Sequence, residues 1–251
     1  MIFITGDCHG EFKKFSTSKF PEQKELTRDD IVIVCGDFGI WHDIPTERYW
    51  FNWLSEKPFT IVFVDGNHEN FDRLYSDEFP VVDFYGAKAQ KIRDNIFHLI
   101  RGNIYEFEGK TFYAFGGAAC HDIQDGVLNP ADFKTKSELN DLANKWYRQG
   151  KMFRIKGISW WERELPTQEE IDTGIKNLKT VNNSVDYIIS HCLPLEIEVA
   201  VTGVDEPNIL TNYFDDVANN VSFKKWFCGH YHVNICVDDK YWVLYEKIIK
   251  L

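Results

Sequence analysis

The sequence predicts an α/β protein, on three observations. Short apolar runs rich in β-branched residues recur along the chain, each stops at a residue type that ligates metals, and helix-length amphipathic segments lie between them. The clearest run is Ile31-Val32-Ile33-Val34-Cys35, which stops at Gly36-Asp37-Phe38-Gly39. Bounded by Asp29-Asp30 before and glycines after, it fits a fully buried strand; a helix would need a longer pattern. Asp37 is thereby delivered to the C-terminal end of a strand.

The same design recurs. Met1-Ile2-Phe3-Ile4 runs into Thr5-Gly6-Asp7-Cys8-His9-Gly10, and Ile61-Val62-Phe63-Val64 runs into Asp65-Gly66-Asn67-His68-Glu69. Tyr187-Ile188-Ile189 leads to Ser190-His191, and Trp226-Phe227-Cys228 leads to Gly229-His230-Tyr231-His232. Between these strands, Glu11 to Phe20 reads as a short amphipathic helix ended by Pro21, giving a β-α-β opening. Pro45 to Lys57 places Tyr49, Trp50, Trp53 and Leu54 at helical spacing, an aromatic stripe for the sheet. A further helix starts at Phe71 to Tyr75 and ends by Pro80. Ile96–Ile100, Ile104–Phe107 and Thr111–Phe115, with Gly102 and Gly109 as turns, read as antiparallel neighbours. Ala131 to Gln149 predicts one helix, and Thr167-Gln168-Glu169-Glu170 is a capping-box start for another. A helix around Tyr213 to Val221 precedes Trp226, and Tyr241 to Tyr245 is expected as the last strand.

The 251 residues, 44% of them hydrophobic, suffice for one large core, so a single domain over 1–251 is expected, with a polar helical insertion at about 117–183. The net charge of -11 is spread without a long basic run, which argues against duplex nucleic acid as a partner. A small nucleotide remains compatible, because a metal centre supplies local positive charge. Cys8, Cys35, Cys192 and Cys228 sit in or beside the strand-end motifs and read as small buried fillers rather than a disulfide framework. With no charged, apolar leader and no run of about 18 apolar residues, neither secretion nor membrane spanning is expected, and the reading is cytoplasmic.

α/β sheets place ligands at strand ends, so folding these five ends together gathers Asp7, His9, Asp37, Asn67, His68, His191, His230 and His232. That is too many ligands for one ion. Carboxylate and amide oxygens mixed with imidazoles suit Mn, Fe or Zn, and an aspartate can bridge a pair, so a dinuclear site is inferred.

In order and spacing behind apolar strands, Gly6-Asp7-Cys8-His9-Gly10, Gly36-Asp37-Phe38-Gly39, Gly66-Asn67-His68-Glu69, Ser190-His191 and Gly229-His230-Tyr231-His232 resemble the five blocks of calcineurin-like metallophosphoesterases. The resemblance implies a four-layer α/β/β/α sandwich of two mixed sheets with two divalent ions at one edge, manganese being the ion expected in vitro. It implies that Asp7, His9, Asp37 and His232 hold the first ion and Asp37, Asn67, His191 and His230 the second. Two ions roughly 3.5–4 Å apart clamp a phosphoryl group and lower the pKa of water towards about 7, so that hydroxide attacks phosphorus in line. His68, left unligated, then protonates or stabilises the leaving oxygen as the catalytic residue.

Other residues have plainer readings. His98 reads as structural, Arg73 as a solvated helix face, and Trp160-Trp161 as packing of the insertion, with nucleobase stacking as the alternative. His42 is left open, and His121-Asp122 is weighed as a pocket lining. The serine/threonine phosphatase branch carries an Asp-Arg pair where this chain has Ile40-Trp41 and a further arginine where it has Asp65, so its phosphate-binding arginines are missing here. The expected function is therefore hydrolysis of a small phosphorylated substrate, a phosphodiester or nucleotide-like compound. Protein or small-molecule phosphomonoesterase activity, a non-catalytic metal-binding scaffold and a DNA exonuclease subunit are the alternatives.

Overall fold

The computed structural model describes residues 1–42 and 44–251. The first part of the chain forms β1 (Ile2–Thr5), β2 (Ile31–Cys35), α1 (Pro45–Ser55), β3 (Thr60–Val64), α2 (Phe71–Leu74), β4 (Val81–Phe84), β5 (Ala87–Arg93) and β6 (Ile96–Leu99). The middle forms β7 (Asn103–Phe107), β8 (Lys110–Phe115), β9 (Gly126–Leu128), α3 (Lys136–Arg148), β10 (Phe153–Ile155) and α4 (Gln168–Thr180). The last part forms β11 (Tyr187–Ser190), α5 (Leu195–Thr202), α6 (Ile209–Asn220), β12 (Lys225–Cys228), β13 (Ile235–Val237), β14 (Tyr241–Val243) and β15 (Ile249–Lys250).

These strands make two large mixed sheets, ordered β15-β1-β2-β3-β6-β5-β4 and β13-β14-β12-β11-β8-β7, plus the small pair β10-β9. Side chains of a strand alternate between faces, so the uninterrupted apolar runs of β1, β2 and β3 must be covered on both sides. They are. Phe3, Val32, Val34, Ile61 and Phe63 face a layer containing Phe51 and Leu54 of α1. Ile2, Ile4, Ile33, Val62 and Val64 instead meet Phe112, Ala114, Ile189 and Phe227 of the second sheet. The far face of that sheet packs Tyr113, Phe115, Ile188 and Trp226 against Ile171 and Leu178 of α4 and Leu210, Phe214 and Val217 of α6. Helices, sheet, sheet and helices thus form the four expected layers.

Several local expectations change. The segment from Glu11 to Phe20 is not a helix but a 3-10 turn at Lys13–Phe15, followed by another at Pro21–Glu25. Ser16, Thr17 and Ser18 favour turns over helix interiors, and the buried Phe12 and Phe15 recur at the three-residue spacing a 3-10 turn presents. Ile96–Leu99 does not join the next two strands: it pairs parallel with β3 and antiparallel with β5, whereas β7 and β8 form a hairpin in the other sheet. The strand is buried on both faces, which suits a central position, and the chain crosses between sheets at Ile100–Gly102. Strands β4 and β5 were not anticipated, and α2 is a single turn. The helix after Ala131 begins only at Lys136, capped by Thr135. The Thr167 capping box is present as read, with α4 running to Thr180. Tyr241–Val243 is not the final strand, since β15 returns to pair antiparallel with β1.

A buried polar network braces the turn after β3. Asp65 accepts from Arg101 Nε at 2.9 Å and also from Nη2, while His98 lies between Asp65 Oδ1 (3.0 Å) and Gln90 Oε1 (2.7 Å). His98 is structural, as read. Burial alone would raise the Asp65 pKa, but Arg101 and His98 reverse this and hold it well below the usual carboxylate range. Arg101→Ala leaves a buried carboxylate without its charged partner and is expected to lower unfolding free energy by about 3–5 kcal/mol. Urea denaturation reads this directly, and a loss below about 1 kcal/mol would mean the pair behaves like an exposed one.

Candidate metal centre and active site

Because β1, β2 and β3 are mutually parallel and β11 and β12 are parallel to each other, their C-terminal ends collect ligand-type residues at one edge of the sandwich. Asp7, His9 and His232 bring their ligand atoms within 4.8 Å of one another, as do Asp7, Asp37 and His191. His9, Asp37 and His68 form a third such group, so distance alone does not set His68 apart from the ligands. His9 Nε2 lies 3.1 Å from Asp37 Oδ2, His232 Nε2 3.2 Å from Asp7 Oδ2, and His191 Nε2 3.3 Å from Asp37 Oδ1. His230 stands beside these groups rather than within them: its backbone N–H donates to Asp7 Oδ1 (2.9 Å), and its ring centroid lies 4.9 Å from that of His191.

Three donor atoms are orphaned. Asp7 Oδ2, Asn67 Oδ1 and His191 Nε2 are buried without a hydrogen-bond partner, although such atoms are costly to leave unsatisfied. They come from three different strand ends, and all are metal-ligating atom types. His191 Nδ1–H donates to the Cys35 carbonyl at 2.8 Å, which turns Nε2 towards the carboxylates as the atom that would ligate a metal on losing its proton. Oxygen and imidazole donors in this mixture fit a divalent first-row ion.

Electrostatics point the same way. Burial would raise the Asp37 pKa, but His191, His9 and His68 hold it far below the usual range. Burial would lower that of His191, yet Asp37 and Asp7 lift it to about 9. The two buried carboxylates thus draw positive charge onto their neighbours. Burial pushes His68 below its usual value, with Asp37 opposing, and holds His230 well below it, so both imidazoles are neutral at neutral pH.

The backbone is bent to achieve this. His9, Asp37, His230 and His232 all have left-handed φ, between 46° and 69°, each costing on the order of 1–3 kcal/mol in a residue with a Cβ. The glycines at the strand ends make room for the ligand side chains. A Cβ on Gly66 would lie 2.0 Å from Asp37 Oδ1, one on Gly229 2.1 Å from Asp7 Oδ1, and one on Gly36 2.1 Å from His191 Nδ1.

Two supporting residues escaped sequence reasoning. Glu69, buried, accepts from the backbone N–H groups of Phe38 (2.7 Å), Gly39 (3.1 Å) and Ile40 (2.7 Å), fixing the loop that follows Asp37. Its place directly after Asn67-His68 was the available signal. Buried Lys14 donates to the carbonyls of Asp7 (2.6 Å) and Tyr245 (2.6 Å), tying the end of β1 to the chain beyond β14. No motif marked it.

Other candidates resolve by their contacts. Arg73 is not a solvated residue: it is largely covered and pairs with Glu78 and Glu47. The ring of His121 lies 5.1 Å from that of His230 and lines a pocket with it. His42 joins Asn70 (3.0 Å) to the Ile158 carbonyl (2.9 Å). Trp160 donates to Glu164 within its own segment (2.9 Å), whereas Trp161 donates to Asp72 (2.7 Å), tying that segment to α2, and also lines a slot shared with His9 and His68. Cys8, Cys35, Cys192 and Cys228 are buried and free, as read.

Gly66→Ala should displace the Asp37 carboxylate and reduce bound metal, measured by elemental analysis after dialysis, while circular dichroism stays native. Unchanged metal content would break the link between this glycine and the cluster. Glu164, whose Oε2 is buried and unpartnered, has its pKa pushed from 4.5 up to about 7 by burial. Between those two pH values the folded chain binds more protons than the unfolded one, so stability falls as pH rises, by up to about 3 kcal/mol. In chelator, Glu164→Gln should remove that loss, seen as a flatter dependence of melting temperature on pH between 5 and 8.

The profile of the calcineurin-like phosphoesterase family matches residues 1–234. Among curated proteins, the chain is 26% identical over 142 residues to lariat debranching enzyme A of Xenopus laevis and 24% identical over 142 residues to the lariat debranching enzyme of Gallus gallus. In each case the match covers 50% of this chain and 25% of the relative, so it spans about a quarter of those proteins. Among solved structures, phosphopantetheinyl hydrolase from Mycobacterium tuberculosis aligns over 98% of this chain and 89% of its own, with a TM-score of 0.46 and 14% identity. The match over residues 1–234 takes in all five strand-end motifs, and the chain belongs to the calcineurin-like phosphoesterase family.

Proposed function

We propose that the chain is a metal-dependent hydrolase of phosphate esters whose substrate is small and phosphorylated, a phosphodiester or nucleotide-like compound. The supporting observation is the set of orphaned donor atoms, Asp7 Oδ2, Asn67 Oδ1 and His191 Nε2, one at each of three strand ends, with Asp7 and His191 grouped with Asp37 within 4.8 Å. Asp7, His9, Asp37 and His232 would hold one divalent ion, and Asp37, Asn67, His191 and His230 a second. Such ions, when bound, supply a clamp for phosphoryl oxygens and lower the pKa of water towards about 7.

The chain's own residues do the rest. Asp37, its carboxylate fixed by the His68 backbone N–H at 2.8 Å, orients the cluster. His68, half-buried beside His9, keeps one ring N–H in its neutral form and donates it to the leaving oxygen as negative charge develops there. Where the protein-phosphatase branch has arginines, this chain has Trp41 and Asp65, and Asp65 is buried and committed to Arg101. That disfavours a phosphoprotein substrate. The names of the curated relatives, both debranching enzymes, agree with a bond-cleaving role.

The test is turnover of bis-p-nitrophenyl phosphate against p-nitrophenyl phosphate by manganese-loaded protein. The diester is expected to be the better substrate, and absence of turnover of both with metal bound overturns the proposal. His68→Ala should lower kcat by about 10²- to 10⁴-fold with metal content unchanged. Loss of metal in that variant would reassign His68 as a ligand.

A further inference from the structure

Beside the cluster lies a slot of about 220 Å³ lined by Trp41, Trp161, Ile158 and Arg154, with His9 and His68 on its inner side. Resting on the phosphoesterase reading above, we propose that this slot is the subsite for the organic group of the substrate and that this group carries an aromatic ring. Because His9 and His68 line the slot themselves, a group esterified to a phosphate at the cluster enters it directly.

Its size selects one ring system. Pockets for larger, drug-sized ligands run from about 300 to 1,000 Å³. Its chemistry selects an aromatic ring over an aliphatic chain. Indole faces and a guanidinium plane both favour stacking on a π-system, which an alkyl group does not reward. Arg154, on the slot wall, pairs with Asp122 through Nη2, which holds its guanidinium in place.

The walls are held in place before any ligand arrives. Trp41 Nε1 packs so closely on the turn glycines that a Cβ on Gly39 would lie 2.6 Å from it and one on Gly10 3.1 Å. Trp161 is pinned through Asp72 at 2.7 Å, and the Ile158 carbonyl through His42 at 2.9 Å. Preorganised walls cost little ordering on binding. The slot joins the turn after β2, the turn after β3 and the segment 154–161, so the insertion supplies selectivity while the strand ends supply chemistry.

The test is isothermal titration of manganese-loaded protein with adenosine monophosphate, phenyl phosphate and ribose 5-phosphate, alongside turnover of bis-p-nitrophenyl phosphate on the same preparation. At least one ring-bearing ligand should bind about five-fold or more tighter than ribose 5-phosphate, the low end for one stacked ring. Preference for adenosine monophosphate alone identifies a nucleobase; equal preference for phenyl phosphate identifies any aryl group. Ile158 is half exposed, so Ile158→Glu should fold normally and bring the preference to about two-fold or less. Equal binding of all three ligands by the wild type, or a preference that survives Ile158→Glu, overturns the subsite. Turnover without ring preference sinks the subsite alone, whereas ring preference without turnover sinks the phosphoesterase reading.

Discussion

Asp7 and Asp37 are buried carboxylates at the seam between two sheets, and the charge they carry there governs the rest of the molecule. In a low-dielectric interior, like charges so close together demand a counter-charge. Part of it comes from imidazoles while no metal is bound: the two carboxylates lift the pKa of His191 to about 9, and that of His232 is drawn upward by the Asp7 carboxylate 3.2 Å away. Three donor atoms still lack partners, and a divalent cation answers both deficits at once. Conversely, a neutral substitute at Asp37 would leave Asp7 as the one remaining carboxylate raising the His191 pKa.

The arrangement works against the fold's own stability. Four cluster residues adopt left-handed backbone, and three glycines give up their side-chain space to neighbouring ligands. Such strain persists only where surrounding structure over-determines the conformation. Glu69 does so for the loop after Asp37, binding three consecutive N–H groups, and Lys14 does so for the end of β1. The His9 and Cys8 N–H groups both donate to the Asp37 carbonyl, so the first two strand-end turns lock each other.

Chemistry and selectivity are physically separate. The proposed chemistry is assigned to the ends of buried parallel strands, whose positions are set by core on either side. Selectivity is assigned to Trp41, Arg154, Ile158 and Trp161, drawn from a turn and from the polar segment after β8. Arg101 couples the two regions: it binds Asp65, just before Asn67 in the chain, and reaches the Arg163 carbonyl at 2.8 Å. A change in the segment 160–164 is therefore felt two residues from a proposed ligand.

The sequence by itself determined which residues lie at strand ends. Periodicity is local, and an apolar run that stops at Gly-Asp or Ser-His declares both its burial and its terminus. It also declared α1, the capping box of α4 and the structural His98. Tertiary structure alone decided what needs contacts between distant segments: that Ile96–Leu99 belongs to the first sheet, that β15 closes onto β1, and that Glu69 and Lys14 hold turns in place. It decided too that the glycines make room for ligands and that Trp161 reaches the edge of the cluster. Hydrophobic patterning fixes which face of a segment is buried, but the partner that buries it is chosen by the packing of the whole chain.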